Sequence, residues 1–311
     1  MKVGNFLVIA NKRCATSWLK ANLSEHPDIF MSSRKGLHFF DWFYDNKIKW
    51  YDWVNKASEK FNDPVKHSWL TERNDLDIYS SFFAGAGEEK MLGEVEHSYF
   101  WNDHVPSRIH KTLGVIPLIL SLRQPVDRAY SAYQLNFRYK YEQEIENNFR
   151  EFFLNALNDN DRWHNVISWG RYGNQLKKYL DIFPIETFHI IKYEDIIAYP
   201  VETMKKVYQF LGVDDSFEAK NLYNRYTPAT NTPEKTGSLK RYLWYTSLFS
   251  LRSRQILIRL GFRSIKTYRR FSPPPLDNKL KKELTRYFDE DIHLLMDSTN
   301  INFSSWLSKN I

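Results

Sequence analysis

The sequence predicts a three-layer α/β fold: a central, mainly parallel sheet flanked by helices. Three observations carry this. Short apolar runs at Phe6–Ala10, Met91–Val95, Val115–Leu120 and Thr187–Lys192 alternate with segments of helical periodicity. The runs are almost unbroken, as in strands buried on both faces, and strands separated by helices pair in parallel. The first run stops at a basic turn, Asn11-Lys12-Arg13, before Thr16 and Ser17 open a helix. A strand–turn–helix junction of this kind points free N–H groups and a helix dipole at an anion.

Composition bounds the class. The chain has 311 residues, 26% charged and 16% aromatic, which excludes a disordered protein. It is long enough to bury a large core. The organisation reads as a single domain over 1–311, with a C-terminal helical extension from about 240 packed on it. A net charge of +7 suggests anionic ligands or surfaces without requiring nucleic acid. Cys14 is the only cysteine, so an intramolecular disulfide and a cysteine-built zinc site are excluded and a reducing compartment is favoured. The N-terminus runs straight into a strand with no signal-peptide pattern, and no apolar run is long enough to span a bilayer. The expectation is a cytoplasmic protein, with peripheral contact to a membrane surface left open.

The elements follow in order. A helix with Trp18, Leu19 and Leu23 on its apolar face ends at the His26-Pro27 turn. A short strand is expected around Leu37–Phe40, then an aromatic-rich stretch to Trp53 and helix plus loop to Glu89. The Met91–Val95 strand ends in an acidic, histidine-bearing tip, Glu94 to His97. The strongest strand, Val115–Leu120, runs into Arg123, and Pro125 and Asp127 suit the first turn of the next helix. Helices are expected over Phe149–Leu157, Ser168–Phe183 and Val201–Leu211, the last capped by Gly212. After Pro273–Pro275 a final helical piece, Leu276–Met296, is expected to pack back on the core.

Ligands in parallel sheets sit outside the carboxyl ends of the strands. Lys12, the 36–41 region, Glu94–His97, Arg123 and Tyr193 should therefore meet in one crevice. The first turn is not a Walker A loop, because Lys12 comes four residues before Thr16 and no glycine is present. By itself it fits equally an ordinary connection with two solvated cations. The second junction puts Arg123 at a strand end and Ser131 on the following helix, a cradle for a second phosphate. Taken alone, an Arg123–Asp127 pair with Ser131 as a packing residue would explain it as well. The strongest strand ends in Arg123 where a magnesium-dependent phosphoryl transferase needs an acid. Two separated cationic turns suit a ligand with two anionic groups and no metal.

These residues resemble a family. KRCATSWLKANLSEHPDIF (Lys12–Phe30) is similar to the 5′-phosphosulfate loop of sulfotransferases that use 3′-phosphoadenylyl sulfate (PAPS), and RQPVDRAYSAY (Arg123–Tyr133) to their 3′-phosphate motif. HFFD (His38–Asp41), the Ile190–Ile196 segment and Gln209–Val213 match as well. The likeness covers nearly the whole chain and is nearest to bacterial sulfotransferase-domain and heparan-sulfate-type proteins. It implies a P-loop-NTPase-like fold and transfer of a sulfuryl group from PAPS to a hydroxyl or amine, releasing 3′,5′-ADP without a metal. It further implies that Lys12 meets the phosphosulfate. Arg13, Cys14, Ala15, Thr16, Ser17 and Trp18 would surround the 5′-phosphate, and Arg123 and Ser131 the 3′-phosphate, with Tyr193 beside the nucleotide. Lys235, Gly237 and Ser238, in the Asn231–Arg241 loop, would close over it; a solvated basic turn is the competing reading there.

The pattern breaks at the base. The family's usual glutamate falls at Gly36, and Cys14 and Ala15 stand where glycine and threonine are common. The replacements on offer are His38, Glu94, Glu96 and His97. Among these His38 is favoured because it neighbours the lost glutamate and an imidazole has a suitable pKa, although a buried histidine bonded to backbone explains it at least as well; Glu94 is next, with pairing to Lys12 or Arg123 as its competing reading. The implied acceptor is a carbohydrate or glycolipid, bordered by aromatics between Trp42 and Trp53. A small phenolic or aliphatic alcohol, a non-catalytic nucleotide-binding protein that has lost its base, and a nucleotide kinase are the competing readings. The Tyr242–Arg270 stretch could lie as a basic amphipathic helix on an anionic membrane, although a solvated helix face is the preferred reading.

Overall fold

The computed structural model describes residues 1–43, 75–139, 148–158, 167–224 and 275–311. Its centre is a sheet of five parallel strands: β1 (Phe6–Ala10), β2 (Ile29–Met31), β3 (Met91–Glu96), β4 (Leu118–Leu122) and β5 (Phe188–Lys192). The order across it is β2-β3-β1-β4-β5. Every residue of β1 is buried. Its neighbours are in register from Phe6 opposite Gly93 to Ile9 opposite Glu96, and from Leu7 opposite Leu118 to Ala10 opposite Ser121. A Cβ on Gly93 would lie 2.1 Å from Cζ of Phe6, so this register needs glycine there.

Strand alternation divides the side chains between two cores. Phe6, Val8, Val95 and Ile119 face α1 (Thr16–Leu23) through Trp18, Leu19 and Leu23. Leu7, Ile9, Leu118 and Leu120 face the other core. That core takes in α2 (Asp75–Ser81), α3 (Val105–Leu113), α4 (Pro125–Tyr139), α5 (Phe149–Asn158) and α6 (Tyr172–Leu180). Each fully buried large apolar side chain contributes roughly 1.5–3 kcal/mol over leaving it exposed. After β5 come α7 (Tyr193–Ala198) and α8 (Pro200–Leu211). The latter begins on Pro200 and stops at Gly212, whose φ of +66° caps it as the sequence predicts. The C-terminal helices α9 (Asn278–Thr285) and α10 (Asp289–Thr299) do fold back, through Leu284, Phe288, Ile292 and Leu295.

From β1 the chain passes to β2 and β3 on one side, and from β4 to β5 on the other. The loops leaving β1 and β4 therefore part at adjacent strand ends and leave a crevice between them. This is a P-loop-like α/β fold.

Two expectations are corrected. The edge strand is Ile29–Met31, read from sequence as a helix-ending turn, and Leu37–Phe40 is no strand. Gly36 (φ +75°) and His38 (φ +55°) break extension. Phe39–Phe43 instead form a π-helical turn whose first two N–H groups donate to the Tyr99 hydroxyl, at 3.0 and 3.2 Å. The strongest strand starts at Leu118, not Val115. Val115 is 54% exposed and Pro117 has no N–H to give a ladder.

Among the described residues no helix is long and apolar enough to cross a membrane. The Asn231–Arg241 loop with Lys235, Gly237 and Ser238, the Tyr242–Arg270 stretch, and the side chains from Trp42 to Trp53 lie outside the described residues.

Candidate active site

The turn after β1 is shaped by two left-handed residues, Arg13 (φ +83°) and Ala15 (φ +60°). Such alternation gathers successive N–H groups into an anion-binding concavity. Ala15 is the N-cap of α1 and offers no side-chain oxygen. The first intrahelical bond is Leu19 N–H to the Ala15 carbonyl, so the N–H groups of Thr16, Ser17 and Trp18 precede it. Lys12 is exposed, with Nζ 5.8 Å from the centre of the Trp169 ring.

A second cation enters this turn from another part of the chain. Lys35 donates to Thr16 Oγ1 at 2.8 Å and Ser17 Oγ at 2.7 Å. Burial, helped by the Arg13 charge and opposed by Glu96, lowers Lys35 to about 8. It remains mostly cationic at neutral pH. No linear spacing tells that its ammonium folds back on α1.

The turn after β4 lies against the first. Arg13 Nε donates to Ser131 Oγ on α4 at 2.9 Å, and Arg123 Nη1 reaches the Arg13 carbonyl at 3.5 Å. Ser121 Oγ donates to the Cys14 carbonyl at 2.7 Å. The Arg123 guanidinium stacks on Tyr193, 4.4 Å from the ring centre, while Tyr172 donates its hydroxyl to the Arg123 carbonyl at 2.8 Å. The two basic turns thus meet at the carboxyl ends of adjacent strands. The Ser131 hydroxyl accepts from Arg13 and keeps its own proton to give.

The third part is the corner of Gly36, His38, Glu96 and His97. Glu96 is fully buried, yet a Cβ on Gly36 would lie 3.5 Å from its Oε2 and 3.9 Å from His38 Nε2. Its Oε2 accepts from His38 N–H at 3.0 Å, and its Oε1 from the N–H groups of His97 and Ser98 at 2.7 and 3.1 Å. His97 Nδ1 is 3.1 Å from the same Oε1. His38 Nδ1 is 3.1 Å from both Asp41 Oδ2 and Ser98 Oγ. Because Ser98 donates its own hydroxyl to Glu96 at 2.9 Å, the network assigns the proton to His38 Nδ1. The lone pair then sits on Nε2, toward Gly36.

The two imidazoles differ. For His38, burial lowers the pKa, but the Asp41 hydrogen bond and the carboxylates of Glu96, Asp41 and Glu94 outweigh it and leave it raised. Burial lowers His97 to about 4, against Glu96 and with help from Lys12, His38 and Lys35. Their mutual influence puts both lysines and both histidines in one neighbourhood.

Three expected site residues are placed differently. Glu94 is not at the crevice. It is fully buried, accepts from Tyr99 and Tyr79 hydroxyls at 2.8 and 2.9 Å, and burial beside Glu96 raises it to about 8. A carboxyl enclosed by two tyrosines has no path to a substrate. Cys14 turns its thiol into the interior, where burial raises it to about 11. Trp18 is buried and gives its indole N–H to the Leu222 carbonyl at 2.8 Å. At both positions only main chain is left for a ligand.

Comparisons with known proteins show the family and the fold. The family model for the sulfotransferase domain matches residues 4–299. The membrane-associated sulfotransferase kil1 of Dictyostelium discoideum is 23% identical over 289 residues, covering 68% of this chain and 56% of the relative. Mouse heparan sulfate glucosamine 3-O-sulfotransferase 5 is 25% identical over 221 residues, 70% of this chain and 56% of the relative. The chain thus spans little more than half the length of these relatives. The crystal structure of a sulfotransferase from Alicyclobacillus acidocaldarius superimposes with a TM-score of 0.65 at 22% identity, over 98% of this chain and 99% of that one, which shows the shared fold. With a matched domain from end to end of the sheet and its site turns, the chain belongs to the sulfotransferase domain family.

Proposed function

We propose that the protein transfers a sulfuryl group from PAPS to a hydroxyl or amine of an acceptor, a carbohydrate or glycolipid being the favoured class. The observation that carries this is the junction of the two basic turns through Arg13, Ser131 and Arg123. One nucleotide with phosphates at its two ends can touch both turns at once. In this reading Arg123 and Ser131 take the 3′-phosphate. The N–H groups of Thr16, Ser17 and Trp18, with the Arg13–Ala15 turn, take the 5′-phosphate.

In the transfer step to a hydroxyl the acceptor oxygen attacks sulfur in line; an amine would attack through nitrogen and form an S–N bond instead. A new S–O bond forms as the bond from sulfur to the bridging oxygen breaks, and the electron pair stays on the 5′-phosphate of departing 3′,5′-ADP. Lys12 and Lys35 face the charge that develops there, a preorganised electrostatic stabilisation. The acceptor proton goes to His38 Nε2, whose ring is oriented by Asp41. Glu96 is an anchor: it fixes His38 through its N–H and brings negative charge to the place left by Gly36. The relatives' printed names, heparan sulfate glucosamine 3-O-sulfotransferase 5 and carbohydrate sulfotransferase 15, support the carbohydrate class.

Calorimetry with 3′,5′-ADP in the presence of a chelator, followed by labelled PAPS against oligosaccharides, glycolipids and phenols, tests the proposal. Saturable nucleotide binding and label on at least one acceptor are expected. Absent nucleotide binding sinks it, and binding without transfer favours a non-catalytic nucleotide-binding protein.

A further inference from the structure

Beside the crevice lies a cavity of about 560 Å³ that none of the roles above uses. Its wall includes Trp101 and Trp169, stacked 5.5 Å apart at 27°. Both indole nitrogens are buried with no acceptor among the described residues. Its floor is tied to the end of β1. Asn11 donates to the Trp169 carbonyl at 2.5 Å and to Gln175 Oε1 at 2.8 Å. Trp169, which lines the cavity, also has the Lys12 ammonium 5.8 Å from its ring centre, so the cavity borders the turn after β1.

The charges there are unevenly satisfied. Lys178 pairs with Asp103. Asp291, behind the cavity, is held by the N–H groups of Gly173 and Asn174 at 2.8 and 2.9 Å and by the Asn174 amide at 2.6 Å. Arg171 is exposed and lines the cavity; its main chain bonds to Ser168 and Gln175, while its guanidinium makes no hydrogen bond among the described residues and meets Asp291 only through its charge. An aromatic wall suits the C–H face of a sugar ring, and a guanidinium fork suits a carboxylate or sulfate. The size is that of a small-ligand site.

We propose that this cavity is an acceptor-side subsite for an acidic sugar residue, its ring on the Trp101–Trp169 wall and its carboxylate or sulfate on Arg171. Describing that sugar as part of the acceptor rests on the sulfuryl-transfer reading; the affinity of the cavity for it does not.

The test is fluorescence anisotropy with an end-labelled heparin tetrasaccharide, at saturating 3′,5′-ADP so that the nucleotide crevice is filled. Arg171→Ala is expected to weaken binding about tenfold, and Arg171→Lys to recover part of it. A desulfated, carboxyl-reduced tetrasaccharide should bind wild type and Arg171→Ala alike, while Trp101→Ala weakens both sugars. Lys205→Ala, on α8 across the sheet, controls for general attraction to a basic chain. The subsite is overturned if Arg171→Ala binds the acidic sugar as wild type does, or if Lys205→Ala weakens it equally. The two readings separate cleanly. Arg171-dependent binding with no sulfated product keeps the subsite and removes the transfer reading. Transfer to the acidic sugar with an unchanged acceptor KM in Arg171→Ala does the reverse.

Discussion

The two sides of the crevice are built from different materials. The side proposed for the nucleotide consists of main-chain N–H groups, left-handed turn residues and arginines whose charge does not change with pH, with Lys35 as its one group lowered to about 8. The Gly36 side consists of two imidazoles hung on two carboxylates. The first is fixed by hydrogen bonds between the turns after β1 and β4; the second is fixed too, but its charge changes with the protonation of the imidazoles. Binding should therefore be insensitive to the side chains at the Gly36 corner, while transfer should follow their protonation. The same contrast appears along β3 itself. Glu94 and Glu96 lie on one face of the strand, both fully buried. Glu94, in mid-strand, meets two tyrosine hydroxyls, whereas Glu96, at the tip, meets loop N–H groups and histidines. Position along the strand, not burial, decides which carboxylate reaches the Gly36 corner.

The largest effect is expected from His38→Ala. Loss of a general base lowers kcat by about 10²–10⁴, and 3′,5′-ADP affinity by calorimetry should stay within twofold. A variant that binds and turns over normally would break the division between the two sides. In the wild type the rate should rise with pH through a His38 pKa above the ordinary 6.5, because only the neutral ring accepts a proton. It should fall again past about 8 as Lys35 loses its charge.

Arg123→Ala should do the opposite. A charged hydrogen bond contributes about 1.5–3 kcal/mol, so nucleotide affinity should fall on the order of 10²-fold, with the pH profile of kcat unmoved. A shifted profile would show that the two sides are coupled.

The smallest effect concerns Glu94. Its folded pKa, about 8, lies above the ordinary carboxyl value of 4.5. A raised folded pKa gives stability that is complete below the unfolded value and lost as pH rises through the folded one. The Tm of the wild type should therefore decline between pH 5 and 8.5, and Glu94→Gln should flatten that decline without changing the rate profile. An unaltered slope would remove Glu94 as the titrating group.

How much of this was legible beforehand varies by residue. That Lys12, Arg123 and Ser131 lie at two neighbouring strand–helix junctions is legible from their type and place; that they hold a ligand is proposed. Gly212 was found because only glycine sits easily in a left-handed cap. The edge strand was misplaced because Leu37–Phe40 is as apolar as a strand, while the positive φ at His38 leaves no sign in its identity. Glu94 and Glu96 could not be told apart, since alternation puts them on the same face. Trp101 and Trp169, 68 positions apart, gave no shared signal at all.

The sequence alone determined what is local: which runs become buried strands, which turns break them, and that two of those turns carry cations. These follow from side-chain periodicity and backbone preference within a few residues. The tertiary structure decided what is not local: that Lys35 folds onto α1, that the carboxylate beside Gly36 comes from β3, and that two distant indoles wall one cavity. Those outcomes depend on the register of parallel strands and the direction of each loop as it leaves the sheet, which no short stretch of chain contains.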